Sequence, residues 1–342
     1  MQVRRLPAEW EPVGAVLMAW PRADGDWAPY LSEIRACYRG LLRDITARVP
    51  VLLLVDDLPA ATEELGADLV SPALRLHPSP AQDTWTRDYG PITVLERGGA
   101  DGGERPLLLD FVFNGWGGKY GSGGDNAASQ ALHARGVFAS TAMESVSFVL
   151  EGGSIETDGQ GTLLTTSTCL LTTTRNPDFQ QQQLELELRA HLGMDRVLWL
   201  DVPPLAGDDT DAHIDTLVRF CPNDTLAYAP GDPSIRRQLE AMRTRSGEPY
   251  RLVPLPPGPT RQAWDDGRPL PATYANALFL NGTVLVPFYG EPGLDQAACA
   301  AWAEACPGWE IAGLDCSALL LQHGSLHCAT MQLPAAVFRD GP

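Results

Sequence analysis

Residues 211–230 read DAHIDTLVRFCPNDTLAYAP. Two short apolar runs, DTLVRFC and TLAYAP, predict paired strands, and His213 stands just ahead of them. The same arrangement recurs along the chain. Asp88 precedes TRDYGPITVL's apolar end, Glu151 opens LEGGSIETDGQGTLLTT, Asn276 lies in YANALFLNGTVLVPF, and Cys328 lies in GSLHCATMQLP. These five polar positions are 63, 62, 63 and 52 residues apart. A period of that size predicts repeated supersecondary units, and a radial arrangement of them would bring all five positions to one central site.

The segments between fit an α/β layout. WAPYLSEIRACYRGLLRDITARV reads as an amphipathic helix with Leu31, Ile34, Cys37, Tyr38, Leu41, Leu42 and Ile45 on one face. DFQQQQLELELRAHLG predicts a helix that starts after Pro177 and ends at Gly193; SIRRQLEAMRTRS and DQAACAAWAEAC predict two more. Short apolar runs such as GAVLMAWP, VPVLLLVDD, PLLLDFVF, GTLLTT and SALLLQHG read as strands. Asn-Gly within FLNGTVLV is a strong hairpin signal.

Composition bounds the function. The chain has 342 residues, 44% of them hydrophobic, enough for one large domain spanning 1–342. No apolar run approaches membrane-spanning length, and MQVRRLPAEWEP lacks the apolar stretch of a secretory signal, so the expected compartment is the cytoplasm. The formal charge of −18 argues against nucleic acid and membrane surfaces as partners and suits a cationic substrate. Seven cysteines without a CxxC pair predict buried thiols and no disulfide framework. Lys119 is the one lysine, in the glycine-rich NGWGGKY. Oligomeric state is not legible; a homo-oligomer is left open.

HGSLHC (323–328) admits three readings. His323 and His327, four apart, would share a face on a helix or strand as metal ligands do, but no further cluster of suitable spacing completes a site. Cys328 taken alone reads as a buried structural cysteine. As a nucleophile it needs a histidine in space and an acid to orient that histidine. DDTDAHIDT supplies His213 and Asp215, two apart on an expected strand and so pointing the same way; it lacks the ligand order of an EF-hand loop. Glu151 is followed by two glycines that permit close backbone approach. A thiol, an imidazole and the carboxylates Asp88, Glu151 and Asp215 together suit a planar cation, because guanidinium pairs bidentately with carboxylates.

At these residues the sequence resembles the agmatine deiminase family of the guanidine-modifying (pentein) superfamily, which includes bacterial peptidylarginine deiminases. The resemblance is carried by EWEPVGAVLMAWP (9–21), DTWTRDYGP (83–91), FVFNGWGGKYG (111–121), LEGGSIETDGQGTLLTTSTCLL (150–171) with RNP after it, GDDTDAHIDTLVRF (207–220), YANALFLNGTVLVPFYG (274–290) and HGSLHCATMQ (323–332). It implies a five-bladed α/β propeller of repeated ββαβ-like units with the site on its axis. It also implies roles: Cys328 as nucleophile, His213 as general acid and base, Glu151 orienting it, Asp88 and Asp215 clamping the guanidinium, and Trp85 and Trp116 beside the substrate. The implied reaction is hydrolysis of agmatine to N-carbamoylputrescine and ammonia, with no metal or organic cofactor. Peptidyl-arginine or free arginine as substrate, amidino transfer, and guanidine binding without catalysis are the alternatives. The chain departs from the family pattern at Glu156, where many members have histidine, and at His323 and Leu326, where glycine or asparagine is usual; these positions bear on the pocket walls.

Overall fold

A computed structural model describes residues 3–98, 103–263 and 267–338. The first two residues of the N-terminal stretch read above, and 339–342 at the end of the expected domain, lie outside them. The fold is mixed α/β. Its strands fall into separate sheets, and five of these repeat one pattern. In each, an antiparallel pair is followed by a helix and then by a strand added in parallel. One such unit comprises 92–97, 104–112 and 142–149, and the next 155–157, 162–166 and 196–200. The third and fourth are 218–221, 225–228 and 251–254, then 278–280, 283–288 and 310–315.

The last unit joins the two ends of the chain. Met331–Pro334 pairs antiparallel with Val13–Ala19, which continues parallel to Val51–Val55 and Leu74–Pro78. Val51–Val55 is buried at every position, as expected for a central parallel strand covered on both faces. The helix Leu31–Thr46 buries Ile34, Tyr38, Leu41, Leu42 and Ile45, while Leu31 and Cys37 are half-buried at the edge of that face. The predicted 178–193 helix spans Gln181–Leu192 and ends at Gly193, whose left-handed φ of 71° suits a helix C-terminus. Asn281 and Gly282 both have positive φ and join 278–280 to 283–288 as the hairpin turn.

Two expected strands are not strands. SALLLQHG holds the 3₁₀ turn Leu319–Gln322, then His323 at φ 67°. The bend seats Gly324 against the Trp85 ring, where a Cβ would lie 2.3 Å from a ring carbon, and extended chain would lose that contact. His213 and Asp215 likewise precede their strand. Asp211 and Ala212 both have φ 66°, Ile214–Thr216 is a 3₁₀ turn, and the strand starts at Val218. All five polar positions therefore sit outside the strands, in turns, loops or a short helix just ahead of the first strand of a unit, where side chains are free of the pleat's alternation.

Candidate active site

The bends bring the marked residues together. Asp88 sits on the short helix Thr86–Tyr89, where its Oδ1 accepts from Gly153 N at 2.9 Å and its Oδ2 from Trp116 Nε1 at 2.9 Å. His213 lies between two acids: Nδ1 is 3.6 Å from Asp88 Oδ1 and Nε2 is 3.4 Å from Glu151 Oε2. A Cβ on Gly153 would lie 2.6 Å from His213 Nδ1 and 2.8 Å from Asp88 Oδ1, so only glycine allows this approach. Arg175, of the RNP motif, donates from Nε to both oxygens of Glu151, at 2.7 Å to Oε2, the oxygen that also faces His213, and at 3.0 Å to Oε1. It also bonds Asp211 Oδ2 and Thr210 O, anchoring the loop that carries His213.

Cys328 is 7% exposed. Asn276 Nδ2 donates to its Sγ at 3.2 Å and to Asp215 Oδ2 at 3.2 Å, while Asn276 Oδ1 accepts from the Cys328 and His327 backbone amides. Asp215 Oδ2 lies 3.8 Å from Cys328 Sγ and 2.7 Å from His327 Nδ1. Its other oxygen, Oδ1, is buried with no hydrogen-bond partner among the described residues. A buried, unsatisfied carboxylate oxygen is costly and points to an occupant that donates to it.

A cleft leads outward from Cys328. It encloses about 490 Å³ of non-atom space, part of it open to solvent. Trp85, Trp116 and Tyr120 form apolar walls; Asp26, Asp83, Asp208 and Asp209 join Asp88 in the lining, which among the described residues has no lysine or arginine. Trp85 also packs on Trp27 at 5.8 Å between ring centroids, so it serves the core and the cleft at once. Lys119 is turned to Asp209 O and Asp211 Oδ1.

Electrostatics follow from burial and crowding. Burial drives the Cys328 thiol well above its ordinary value, and the charges of Asp215 and Asp88 add to this. Burial also raises Asp88 to about 6, helped by Asp215 and Glu151 and opposed by His213 and Trp116. Burial would lower His213, but Asp88, Cys169 and Glu151 outweigh it and hold the imidazole well above its usual value, hence protonated. For Asp215 and Glu151, burial pushes upward but is outweighed by their partners, chiefly His327 for Asp215, and His213 and Arg175 for Glu151; both stay ionised. The substrate-free site thus pairs a neutral thiol with carboxylates short of cations.

Sequence reasoning located Cys328, His213, Asp215, Glu151, Asp88, Trp85 and Trp116, and the structure brings all seven to this cleft or its floor. The metal pairing of His323 and His327 does not form: His323 Nδ1 bonds Gly207 O at the cleft, while His327 is fully buried between Asp215 and Glu9. Two trios could hold an ion by proximity, Glu151–Cys169–His213 and Glu9–Glu156–His327. Each already has guanidinium at hydrogen-bond distance, from Arg175 and from Arg87 with Arg219, which fills the place of a metal cation electrostatically. The spacing singles out Asn276 without assigning it a role, and the structure places its side chain on Cys328 Sγ and Asp215 Oδ2. The acidic mouth is legible in sequence only in part: Asp208 and Asp209 open the acidic DDTDAHIDT stretch, but Asp26 and Asp83 come from two other loops with no shared spacing.

Fold and site together give a mixed α/β protein with a thiol, an imidazole and several carboxylates gathered at one cleft. A family model described as Porphyromonas-type peptidyl-arginine deiminase matches residues 5–334, and the chain belongs to that family. It is similar to the agmatine deiminase of Stutzerimonas stutzeri, 32% identical and covering 98% of this chain and 96% of the other. The agmatine deiminase of Pseudomonas putida is 32% identical with the same coverage. The structure of a C. jejuni agmatine deiminase variant with substrate bound matches with a TM-score of 0.87 at 31% identity, covering 97% of this chain and 96% of that one. Among the described residues no helix is long and apolar enough to cross a membrane.

Proposed function

We propose that this chain hydrolyses agmatine to N-carbamoylputrescine and ammonia. The observation that carries the reading is the cleft floor, where a buried thiol lies beside two buried carboxylates, one with an unpartnered oxygen. A guanidinium between Asp88 and Asp215 would satisfy Asp215 Oδ1 and relieve the crowding that raises Asp88. The same cation lowers the Cys328 pKa, so the nucleophile forms when substrate is present.

In this mechanism Cys328 thiolate attacks the guanidinium carbon, forming an S–C bond. Protonated His213 gives its proton to the departing nitrogen as the C–N bond breaks, and ammonia leaves. The amidino-thioether cation stays clamped by Asp88 and Asp215. Neutral His213, oriented by Glu151, takes a proton from water, which adds to the carbon. Collapse breaks the S–C bond and releases the ureido product. Trp85 and Trp116 flank the alkyl chain, and the acidic mouth receives the distal ammonium. Agmatine, cationic at both ends, suits this lining; the carboxylate of free arginine would face aspartates. Hydrolysis needs neither metal nor organic cofactor.

The reading extends to the architecture and the setting. Five ββαβ passes, each carrying one site residue ahead of its first strand, support a five-bladed pentein propeller with this cleft on its axis. A single catalytic domain and a cytoplasmic setting belong to the same reading. Its test is ammonia release from agmatine, free arginine and a blocked arginyl peptide, with Cys328→Ser as control. Turnover confined to agmatine is expected. Turnover of the peptide instead would transfer the chemistry to a peptidyl-arginine deiminase, and silence on all three would overturn the deiminase reading.

A further inference from the structure

Gln322 and His323 take no part in the chemistry above, yet they tie the rim of the cleft together. The floor of the cleft is buried, at Trp85, Asp88, Trp116 and Cys328, while Asp26 and Tyr120 at its outer edge are exposed. Separate segments of the chain carry that edge, and hydrogen bonds join one to the next. Gln322 Nε2 donates to Asp26 O at 2.8 Å, and His323 Nδ1 donates to Gly207 O at 2.7 Å. Beyond Gly207, the Tyr120 hydroxyl donates to Asp209 Oδ2 at 2.9 Å and Lys119 Nζ to Asp209 O at 2.6 Å.

The His323 link is held against the backbone's own preference. Its φ of 67° lies in the left-handed region, which disfavours a side chain. Strain of this kind persists where the surroundings impose it, and it gathers at ligand clamps. Two contacts impose it here. Gly324 lies flat against the Trp85 ring, and the His323 ring reaches across to Gly207. Gly207 is fixed in its turn: its φ is 87°, and a Cβ there would lie 2.2 Å from Pro269 O. Four residues on, Arg175 and Lys119 grip the same loop through Asp211. The His323 side chain therefore bridges two anchored segments over the side of the cleft.

We propose that His323 restricts the cleft to guanidines whose carbon at the distal ammonium is unbranched. The proposal rests on the deiminase reading, which fixes the guanidinium on the floor between Asp88 and Asp215. With that end fixed, the carbon bearing the ammonium comes to a set depth, beside Asp209 at the rim. In agmatine this carbon is a CH₂ group. In arginine and arginyl peptides it carries a carboxyl or carbonyl group, and that branch has to push the His323 ring aside. Doing so breaks the bond to Gly207 O and opens a rim that the rest of the network holds in place, a cost that falls on the branched substrate alone. The mouth aspartates reject a carboxylate by charge, and His323 rejects a neutral branch by shape. Free arginine meets both barriers; an arginyl amide meets His323 alone.

The test compares kcat/KM for agmatine and for argininamide, which adds a neutral carboxamide at the carbon in question. The α-amino group of argininamide titrates lower than agmatine's amine, and comparing each variant with wild type cancels that difference. Wild type should prefer agmatine at least about tenfold. His323→Gly, the residue that φ 67° favours, should cut this preference at least about fivefold through a gain on argininamide. His323→Gln keeps a side chain able to donate to Gly207 O and should hold most of the preference. A preference unchanged in His323→Gly, or lost as fully in His323→Gln, overturns the gate and leaves the deiminase standing, as does a wild type that turns over both amines equally well. Should His323→Gly turn over neither, the ratio of Kd values by calorimetry on Cys328→Ser, with and without His323→Gly, decides on the same terms. Absence of ammonia from every guanidine with wild type overturns the deiminase reading and the gate with it.

Discussion

The two faces of the site floor are built from similar residues to opposite ends. On the cleft side, among the described residues, Asp88, Asp215 and the mouth aspartates outnumber the cations available to them, and Asp215 Oδ1 has no partner. On the rear side, Glu9 is met by Arg87 at 3.0 Å, Arg219 at 2.5 Å and His327 at 2.8 Å, and Arg219 turns its Nε to Glu156. Burial pushes the Glu9 carboxyl upward, but His327, Arg87 and Arg219 outweigh it and hold it well below its ordinary value. One face is short of positive charge and draws a cation; the other is neutralised from within. Their difference predicts that substitutions in front act on turnover and those behind act first on stability.

The largest effect belongs to Cys328→Ser. Removing the nucleophile should cut ammonia release from agmatine on the order of 10⁴-fold or more, with circular dichroism and the unfolding midpoint unchanged. Residual activity near wild type would remove Cys328 from the mechanism. Asp88→Asn should follow, losing roughly 10²–10³-fold in kcat/KM through the lost charged contact. The wild-type pH profile carries a matching sign. Asp88 must be ionised to clamp the cation and is raised to about 6, so kcat/KM should fall as pH drops through that value. That acid limb should vanish in Asp88→Asn; its persistence would assign it elsewhere.

The front face was largely legible in the sequence because its parts announce themselves locally. Each of Asp88, Glu151, His213, Asn276 and Cys328 stands at the start of a strand pair, and the near-constant spacing follows from the length of one ββαβ pass. What failed was local conformation. Alternation in SALLLQHG and DAHID reads as strand, and only the packing of Gly324 on Trp85 and the left-handed Asp211 and Ala212 turn those segments into bends. The rear face was illegible for a different reason. Glu9, Arg87, Glu156, Arg219 and His327 are scattered over more than three hundred residues with no shared spacing, and although Glu156 and His327 stand out singly, nothing in the sequence joins the five. Only the closure of the chain's two ends brings Glu9 onto His327.

That hidden network gives the next prediction. Arg219 is fully buried, and besides Glu156 and Glu9 it bonds the carbonyls of Ala275 and Ala277, the residues flanking Asn276. Arg219→Met should cost about 3–5 kcal/mol by urea denaturation, because it leaves buried Glu156 without its cation and half-buried Glu9 with Arg87 as its remaining guanidinium. A loss below about 1 kcal/mol would mean that the acids simply take up protons, and the rear face would not be the strut its geometry describes.

The smallest effect lies at the mouth and separates the two uses of negative charge. Asp209 Oδ2 bonds the Tyr120 hydroxyl at 2.9 Å, and the carboxyl is raised chiefly by burial. It lies in the cleft lining, away from the thiol's own contacts. Asp209→Asn keeps the shape and removes one charge, so it should raise KM for agmatine about two- to fivefold with kcat within about twofold, as for a partly exposed ion pair. Added salt should narrow the difference, since screening at 0.15 M acts over about 8 Å. If kcat fell instead and salt had no influence, Asp209 would be acting on the reacting centre, and the division between a cation-drawing mouth and a clamping floor would have to be redrawn.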